Sequence, residues 1–219
     1  MTTSASKPAP HYFQTTKPAS IRLWHWLTFL FFTASITTVI FGSTLFKTAN
    51  NISLVQQQVQ EKGGIVTKDQ ARSVAHEYSD KLWTLHKYIG LGLSFLILSR
   101  IIIEVRLSKE KKLSTKIRSA LGYPAGTPEK KHFLFVQFSY AVFYIIFITM
   151  ATTGLVLAFE DVEWLKPVNN LAKETHSIVQ WGLYTFFVIH IAGVIRADLT
   201  KHNGIVSRMI NGKENNLEL

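Results

Sequence analysis

The sequence predicts an all-α integral membrane protein built as a bundle of four transmembrane helices. Charged residues make up only 17% of the 219 residues, whereas soluble domains average about 25%. Four long stretches contain few or no charged residues, and the net charge of +10 is concentrated between and outside them. A helix of about 20 apolar residues crosses the ~30 Å hydrocarbon layer, so each stretch is long enough to span a membrane.

The chain begins with a segment, residues 1–20, that is rich in Ser, Thr, Pro and Ala. Such a segment buries too little apolar surface to fold alone, which predicts a flexible tail. We do not expect a signal peptide, because the apolar run that follows is too long and has no small-residue cleavage site.

The helical domain is predicted over residues 21–200. Its spans are residues 21–46, 82–105, 133–159 and a fourth helix that covers 175–195 and begins earlier. The first span carries a charge only at its start, Arg22, whereas the second carries three, which lie towards its ends. Lys87 and Arg100 can extend towards the interfaces, and Arg100 and Glu104 are spaced to form an ion pair on one helix face.

The distribution of basic residues predicts the orientation. The loop 106–132 has eight Lys and Arg residues against two acidic ones, and the tail 1–20 has no acidic residue. Because basic loops stay on the cytoplasmic side, both termini, including the tail 201–219, are predicted to be cytoplasmic. Loops 47–81 and 160–174 then face outward. The basic excess fits attraction to anionic lipid, and we expect no nucleic-acid partner.

The outer loop 47–81 contains one helix signal. Thr67 and Gln70 have the spacing of a capping box, and apolar residues then recur at helical spacing up to Leu82. These features predict an amphipathic helix that lies over the outer face and continues into the second span. It is either a structural cap or a docking surface for an outer electron partner.

Four of the eight histidines lie inside the predicted spans, namely His25, His86, His176 and His190. An ionisable side chain inside a membrane is costly, so it marks a functional site by default. A single one could serve only as an interhelical hydrogen bond, but four together favour a functional site. The other four histidines are expected to be solvated or interfacial.

Depth in the membrane groups these four residues into two pairs. His25 begins the first span and His190 lies late in the fourth, so both are predicted near the cytoplasmic side. His86 and His176 each lie at the outer start of a span. The 14 residues from His176 to His190 are nearly four helical turns, so the two levels are roughly 21 Å apart.

Two histidines at one level can hold a flat metal macrocycle from both sides, which predicts bis-histidine haem. A bare zinc or di-iron site would need further ligands, and no Asp or Glu lies near either level. The absence of Cys excludes c-type haem attachment and thiolate-bound iron–sulfur clusters. The prediction is therefore a four-helix bundle with two haems in its core.

Four neighbouring residues are consistent with this site. Gly90 and Gly193 leave room for a macrocycle edge, although they equally suit close helix packing. Arg22 and Lys87 lie beside His25 and His86 and are candidates to bind haem propionates. Alternatively, both basic side chains reach lipid phosphate.

Several motifs, in order, resemble one family. They are Arg22–Trp26 with the sequence RLWHW, 85–90 with LHKYIG, the paired-histidine helix from His176 through Gly193, and 203–212 with NGIVSRMING. This pattern is similar to bacterial cytochrome b561 and to the related b-type cytochromes of nickel–iron hydrogenases. The resemblance covers roughly residues 20–212.

The resemblance implies two haem b groups, ligated by His25 with His190 and by His86 with His176. It also implies electron transfer across the bacterial inner membrane, typically with a quinone at one end. The outer loop 47–81 is longer than in the compact members similar to superoxide:quinone oxidoreductase. This length leaves room for an outer-side redox partner protein.

We therefore predict a membrane di-haem cytochrome. It carries electrons between an outer-side donor and a membrane quinone or a cytoplasmic-side acceptor. One alternative is a single-chain enzyme like superoxide:quinone oxidoreductase. Others are a haem-binding sensor or assembly subunit without turnover, and a small transporter with a histidine proton relay. The sequence assigns neither the quinone site nor the oligomeric state.

Overall fold

The computed structural model describes residues 17–109, 128–200 and 204–212, together with 112, 114–115 and 117–118; it describes no side chain of residues 128–133. Most of the predicted tail 1–20, much of the basic loop 106–132 and most of the tail 201–219 lie outside these ranges. The elements are α1 (Ala19–Ser43), α2 (Thr48–Glu61), α3 (Lys68–Arg106), α4 (Pro128–Ala158), a 3-10 helix (Glu163–Val168), α5 (Asn169–Leu199) and α6 (Ile205–Asn211). Within the described ranges there is no strand, and the predicted all-α class is confirmed.

In the part of the chain that the structure describes, four helical segments are long and apolar enough to cross a membrane, as predicted. They are Ala19–Ser43, Lys68–Arg106, Leu134–Ala158 and Glu163–Leu199. Many large apolar side chains on them point away from the protein, including Leu23, Phe95 and Ile178. Lipid tails are as apolar as these side chains, so this surface suits contact with a membrane.

The helix start predicted at Thr67 is confirmed by both bonds of a capping box. The Gln70 amide donates to the Thr67 hydroxyl at 3.2 Å, and the Thr67 amide donates to the Gln70 side chain at 2.8 Å. The helix then continues without interruption into the second span. Its 39 residues correspond to a length of about 58 Å, so α3 extends well beyond one hydrocarbon layer.

The projecting end of α3 pairs with α2, which the sequence analysis did not predict. Small residues on α3, Ala71, Ala75 and Ser79, are buried, and α2 packs on this helix. Small side chains let two helix backbones approach closely. On α2, Ile52 and Val59 are partly buried at helical spacing, but the many glutamines between them hide this pattern.

The spans pack in a chain of neighbours, α1 on α3, α3 on α4 and α4 on α5. Their shared core consists of apolar residues from all four spans, namely Trp24, Phe32, Leu93, Leu96, Ile97, Phe147 and Leu183. The indole nitrogen of Trp24 donates to the Leu96 carbonyl at 2.7 Å. This bond connects α1 to α3 in the interior.

An ion pair lies at the edge of this core. Arg100 and Glu104 on α3 approach to 2.8 Å, with only 11% and 28% of their side chains exposed, which confirms the predicted pairing. Arg100 also donates to the Tyr144 hydroxyl at 2.9 Å. Its guanidinium lies over the rings of Trp24 and Tyr144, at 5.8 and 5.6 Å. One cation thus connects α1, α3 and α4.

Gly92 on α3 lies directly against the ring of Phe31 on α1. A Cβ atom at this position would overlap that ring. We predict that Gly92→Val lowers the thermal unfolding midpoint of the detergent-solubilised protein, because overpacking typically costs about 1–3 kcal/mol. Gly182→Ala is the control, since its Cβ would make only an ordinary contact, 3.6 Å from Ile146. Equal midpoints for Gly92→Val and wild type would contradict this prediction.

Candidate functional site

The first histidine pair consists of His25 on α1 and His190 on α5, and its two rings lie close to each other. We call it the 25/190 pair. The ring centroids are 6.2 Å apart and the ring planes differ by 62°. Bonds from metal to imidazole nitrogen are about 2.0–2.1 Å, so two rings on opposite sides of one metal have centres about 6 Å apart. The spacing matches that of two axial ligands.

Aromatic rings hold the 25/190 pair in place. Phe186, one turn before His190, stacks on its ring at 5.8 Å with an interplanar angle of 7°. Trp26 meets His25 edge-on at 5.4 Å. The Nδ1 atom of His25 is buried and has no hydrogen-bond partner within the described part of the chain. A buried nitrogen of this kind is a typical sign of a site for a bound group.

The second pair, His86 on α3 and His176 on α5, is the 86/176 pair. A threonine from a further helix contacts each ring. The Nδ1 atom of His86 lies 2.8 Å from the hydroxyl oxygen of Thr38, and that of His176 lies 2.9 Å from Thr153.

Space for a large group exists where the histidine-bearing helices face each other. Among the described elements, α1 with α5 and α3 with α5 have almost no close backbone contact, although the histidine pairs connect these same helices. A Cβ atom at Gly90 or Gly193 would meet nothing within 4 Å. The glycines therefore border open space near each pair, which a macrocycle edge could occupy.

The ligand set suits a metal that brings most of its own ligands. Within the described residues, no group of three or more His, Asp or Glu side chains is close enough to hold a metal ion. Each pair supplies only two imidazoles, whereas protein sites for bare zinc are almost always four-coordinate. Haem supplies four equatorial nitrogens and needs two axial ligands, so the residues present fit haem.

The two basic candidates have different surroundings. One guanidinium nitrogen of Arg22 donates to the Lys17 carbonyl at 3.0 Å. The guanidinium also packs against Gly212, so Arg22 contacts the end of the described chain. The Nε atom of Arg22 is buried without a partner among the described residues. Lys87 is exposed, and propionate binding by either residue stays a prediction.

Residues 17–212 match the family described as prokaryotic cytochrome b561. The chain belongs to the prokaryotic cytochrome b561 family. No curated protein and no solved structure matches it. Membership in the cytochrome b561 family makes the chain a multi-pass membrane protein, a b-type cytochrome that carries haem b and takes part in electron transfer.

Sequence reasoning did not single out three contacts of this cytochrome b561 site. Thr38 and Thr153 were not distinguished from the other threonines of the spans, which commonly bond their own helix backbone. The third contact is made by α6. The indole nitrogen of Trp26 donates to the Met209 carbonyl at 3.1 Å, which fixes α6 against the start of α1. The RLWHW motif places Trp26 directly after the ligand candidate His25, and this position was the available signal that the indole makes a contact at the site.

A cavity of about 800 Å³ opens beyond the 86/176 pair, between α1, α2 and α3. Its walls carry the basic side chains of Lys47, Lys68 and Arg72 and one acidic side chain, Asp69. Trp83 also lines the cavity and meets the ring of His86 at 5.6 Å. The cavity therefore connects a positively charged surface to the neighbourhood of a candidate ligand.

Proposed function

We propose that the protein holds two haem b groups and carries electrons across the membrane between them. His25 and His190 would ligate one haem, and His86 and His176 the other. The observation that carries this proposal is the 6.2 Å spacing of the 25/190 rings, which matches two axial ligands on one metal. The second pair joins α3 to α5, and a threonine hydroxyl from a further helix contacts each of its rings.

Bound haem would supply reversible one-electron exchange at its iron. The protein's own contribution is structural and electrostatic. The spans provide an apolar environment for the site, the four imidazoles would hold the two haems, and the surrounding rings and hydroxyls fix the orientation of the imidazoles. Phe186 against His190 and Thr38 against His86 illustrate this support.

We further propose that the 86/176 pair faces outward and that both termini are cytoplasmic. The basic excess of the loop 106–132 supports this orientation. Electrons would enter from an outer-side donor and leave to a membrane quinone or a cytoplasmic-side acceptor. The basic cavity beside Trp83 supports a donor that carries negative charge.

The test is reduction of the purified protein by quinol. We expect a ubiquinol or menaquinol analogue to produce the absorbance of reduced haem b, because electron exchange with a membrane quinone is reversible. His86→Ala and His190→Ala are the matched variants, and each should lose about half of the haem absorbance. Haems that no quinol and no added donor can reduce would contradict electron transfer and favour a sensor or assembly subunit.

The basic cavity also favours a second candidate, the reduction of quinone by a small anion such as superoxide. Its size suits an organic anion or an acidic side chain of a partner better than superoxide, so we rank this candidate lower. Quinone reduction by the isolated chain under a superoxide flux would support it. A stable partner protein that copurifies and reduces the haems would support the first candidate.

A further inference from the structure

Threonine hydroxyls contact both rings of the 86/176 pair, whereas no threonine hydroxyl contacts the 25/190 pair within the described part of the chain. Thr38 comes from α1 and touches a histidine of α3, whereas Thr153 comes from α4 and touches a histidine of α5. Both contacts are made to Nδ1, the ring nitrogen nearer the backbone. Each candidate ligand is therefore supported from a neighbouring helix.

The hydrogen-bond pattern leaves room for a proton on Nδ1 of each ring. The Thr38 hydroxyl lies 2.7 Å from the Ser35 carbonyl, to which it can donate its only hydrogen, and the Thr153 hydroxyl lies 2.7 Å from the Thr149 carbonyl. A hydroxyl that donates to a carbonyl still has lone pairs that accept a hydrogen bond from the imidazole.

Because Nε2 is the nitrogen proposed to bind iron, Nδ1 of each neutral ring carries the hydrogen and donates it to the threonine hydroxyl. In a neutral imidazole the other nitrogen, Nε2, then has a free lone pair. This is the nitrogen that can bind iron, and the hydrogen bond at Nδ1 fixes the tautomer and the orientation of the ring. By contrast, the buried Nδ1 of His25 has no partner within the described residues.

We infer that Thr38 and Thr153 are positioning residues that lower the reduction potential of the 86/176 haem below that of the 25/190 haem. A hydrogen bond donated from Nδ1 makes the imidazole a more basic ligand. A more basic ligand stabilises the oxidised, more positive iron, and hydrogen bonding around a haem is one of the means by which a protein sets its potential. An electron shared between the two sites would then reside mostly at the 25/190 site.

This inference rests on the proposed haem ligation, and a redox titration of the purified holoprotein tests it separately. We expect two midpoint potentials. Thr38→Val and Thr153→Val, which keep the shape but remove the hydroxyl, should each shift the lower midpoint upward and leave the higher one in place. The whole of one hydrogen bond corresponds to roughly a fivefold change in the ratio of reduced to oxidised haem at a fixed potential. Each shift should be smaller than this, because it reflects only the difference in the strength of the bond between oxidised and reduced iron.

Matched variants separate hydrogen bonding from packing. Thr38→Ser and Thr153→Ser retain the hydroxyl and should retain the wild-type midpoint. Thr37→Val and Thr149→Val remove hydroxyls that bond carbonyls of their own helix, and they should shift neither midpoint. If a valine variant loses the 86/176 haem while its serine counterpart keeps it, the positioning role is upheld.

The histidine variants assign the midpoints. His86→Ala and His176→Ala should each remove the haem with the lower potential. If they remove the haem with the higher potential instead, or if both valine variants keep wild-type midpoints with full haem content, the inference is overturned while haem binding stands. A purified protein without haem would overturn the proposed function itself.

Discussion

Replacing His25 or His190 by alanine is expected to remove the same haem. Under the proposed ligation, each substitution would take away one of the two imidazoles that hold one haem, and a single imidazole would hold that haem only weakly. The haem content should fall from two groups per chain to one in either variant. The spectrum of the other haem should stay largely intact, because the two levels are roughly 21 Å apart along α5.

The same comparison at the other level serves as the matched control. His86→Ala and His176→Ala should remove the second haem and spare the first. The double variant His25→Ala/His190→Ala should resemble each single variant, because residues that act as a unit are not additive. The proposed pairing would be wrong if His25→Ala and His190→Ala removed haems with different spectra.

Arg100→Ala is expected to destabilise the bundle strongly. The substitution breaks an ion pair whose side chains are only 11% and 28% exposed, and breaking a buried ion pair by removing one partner costs about 3–5 kcal/mol. It also removes the hydrogen bond to Tyr144 and the contact with the Trp24 ring. The thermal unfolding midpoint in detergent measures the loss of stability. We also expect this variant to lose haem from the neighbouring 25/190 pair, which the haem absorbance measures.

Two further variants isolate the cause. Arg106→Ala removes an exposed arginine near the end of the same helix, where we expect an effect within about 0.5 kcal/mol. Arg100→Leu/Glu104→Leu removes both charges of the pair together and should recover much of the stability, because replacing a buried ion pair by apolar residues costs less than removing one partner. An Arg100→Ala protein as stable as Arg106→Ala would refute the assigned role of the ion pair.

The spans and the histidine levels were predictable because both depend on local features of the sequence. A run without charges identifies a span directly, and the depth of a histidine follows from its position in that run. The 14-residue spacing in α5 is nearly a whole number of turns, so His176 and His190 lie on almost one face. Depth alone therefore grouped His25 with His190, the two residues whose rings the structure places side by side.

The remaining features depend on packing between helices, which no single stretch of sequence specifies. α2 is rich in glutamine, and it packs against a row of small residues on α3. In the sequence, this row does not differ from an ordinary exposed helix face. Thr38 and Thr153 are two of many threonines in the spans. Only the rotation of α1 against α3, and of α4 against α5, brings their hydroxyls to the histidine rings.

The central claim is that each histidine pair holds one haem b, and the most direct measurement is the haem content of the purified chain. A quantitative reduced-minus-oxidised spectrum, with protein determined independently, gives the ratio of haem to chain. The account predicts two haem b per chain, and one in each of the four histidine-to-alanine variants. A wild-type ratio of one, or a ratio unchanged in any of the four variants, would contradict it.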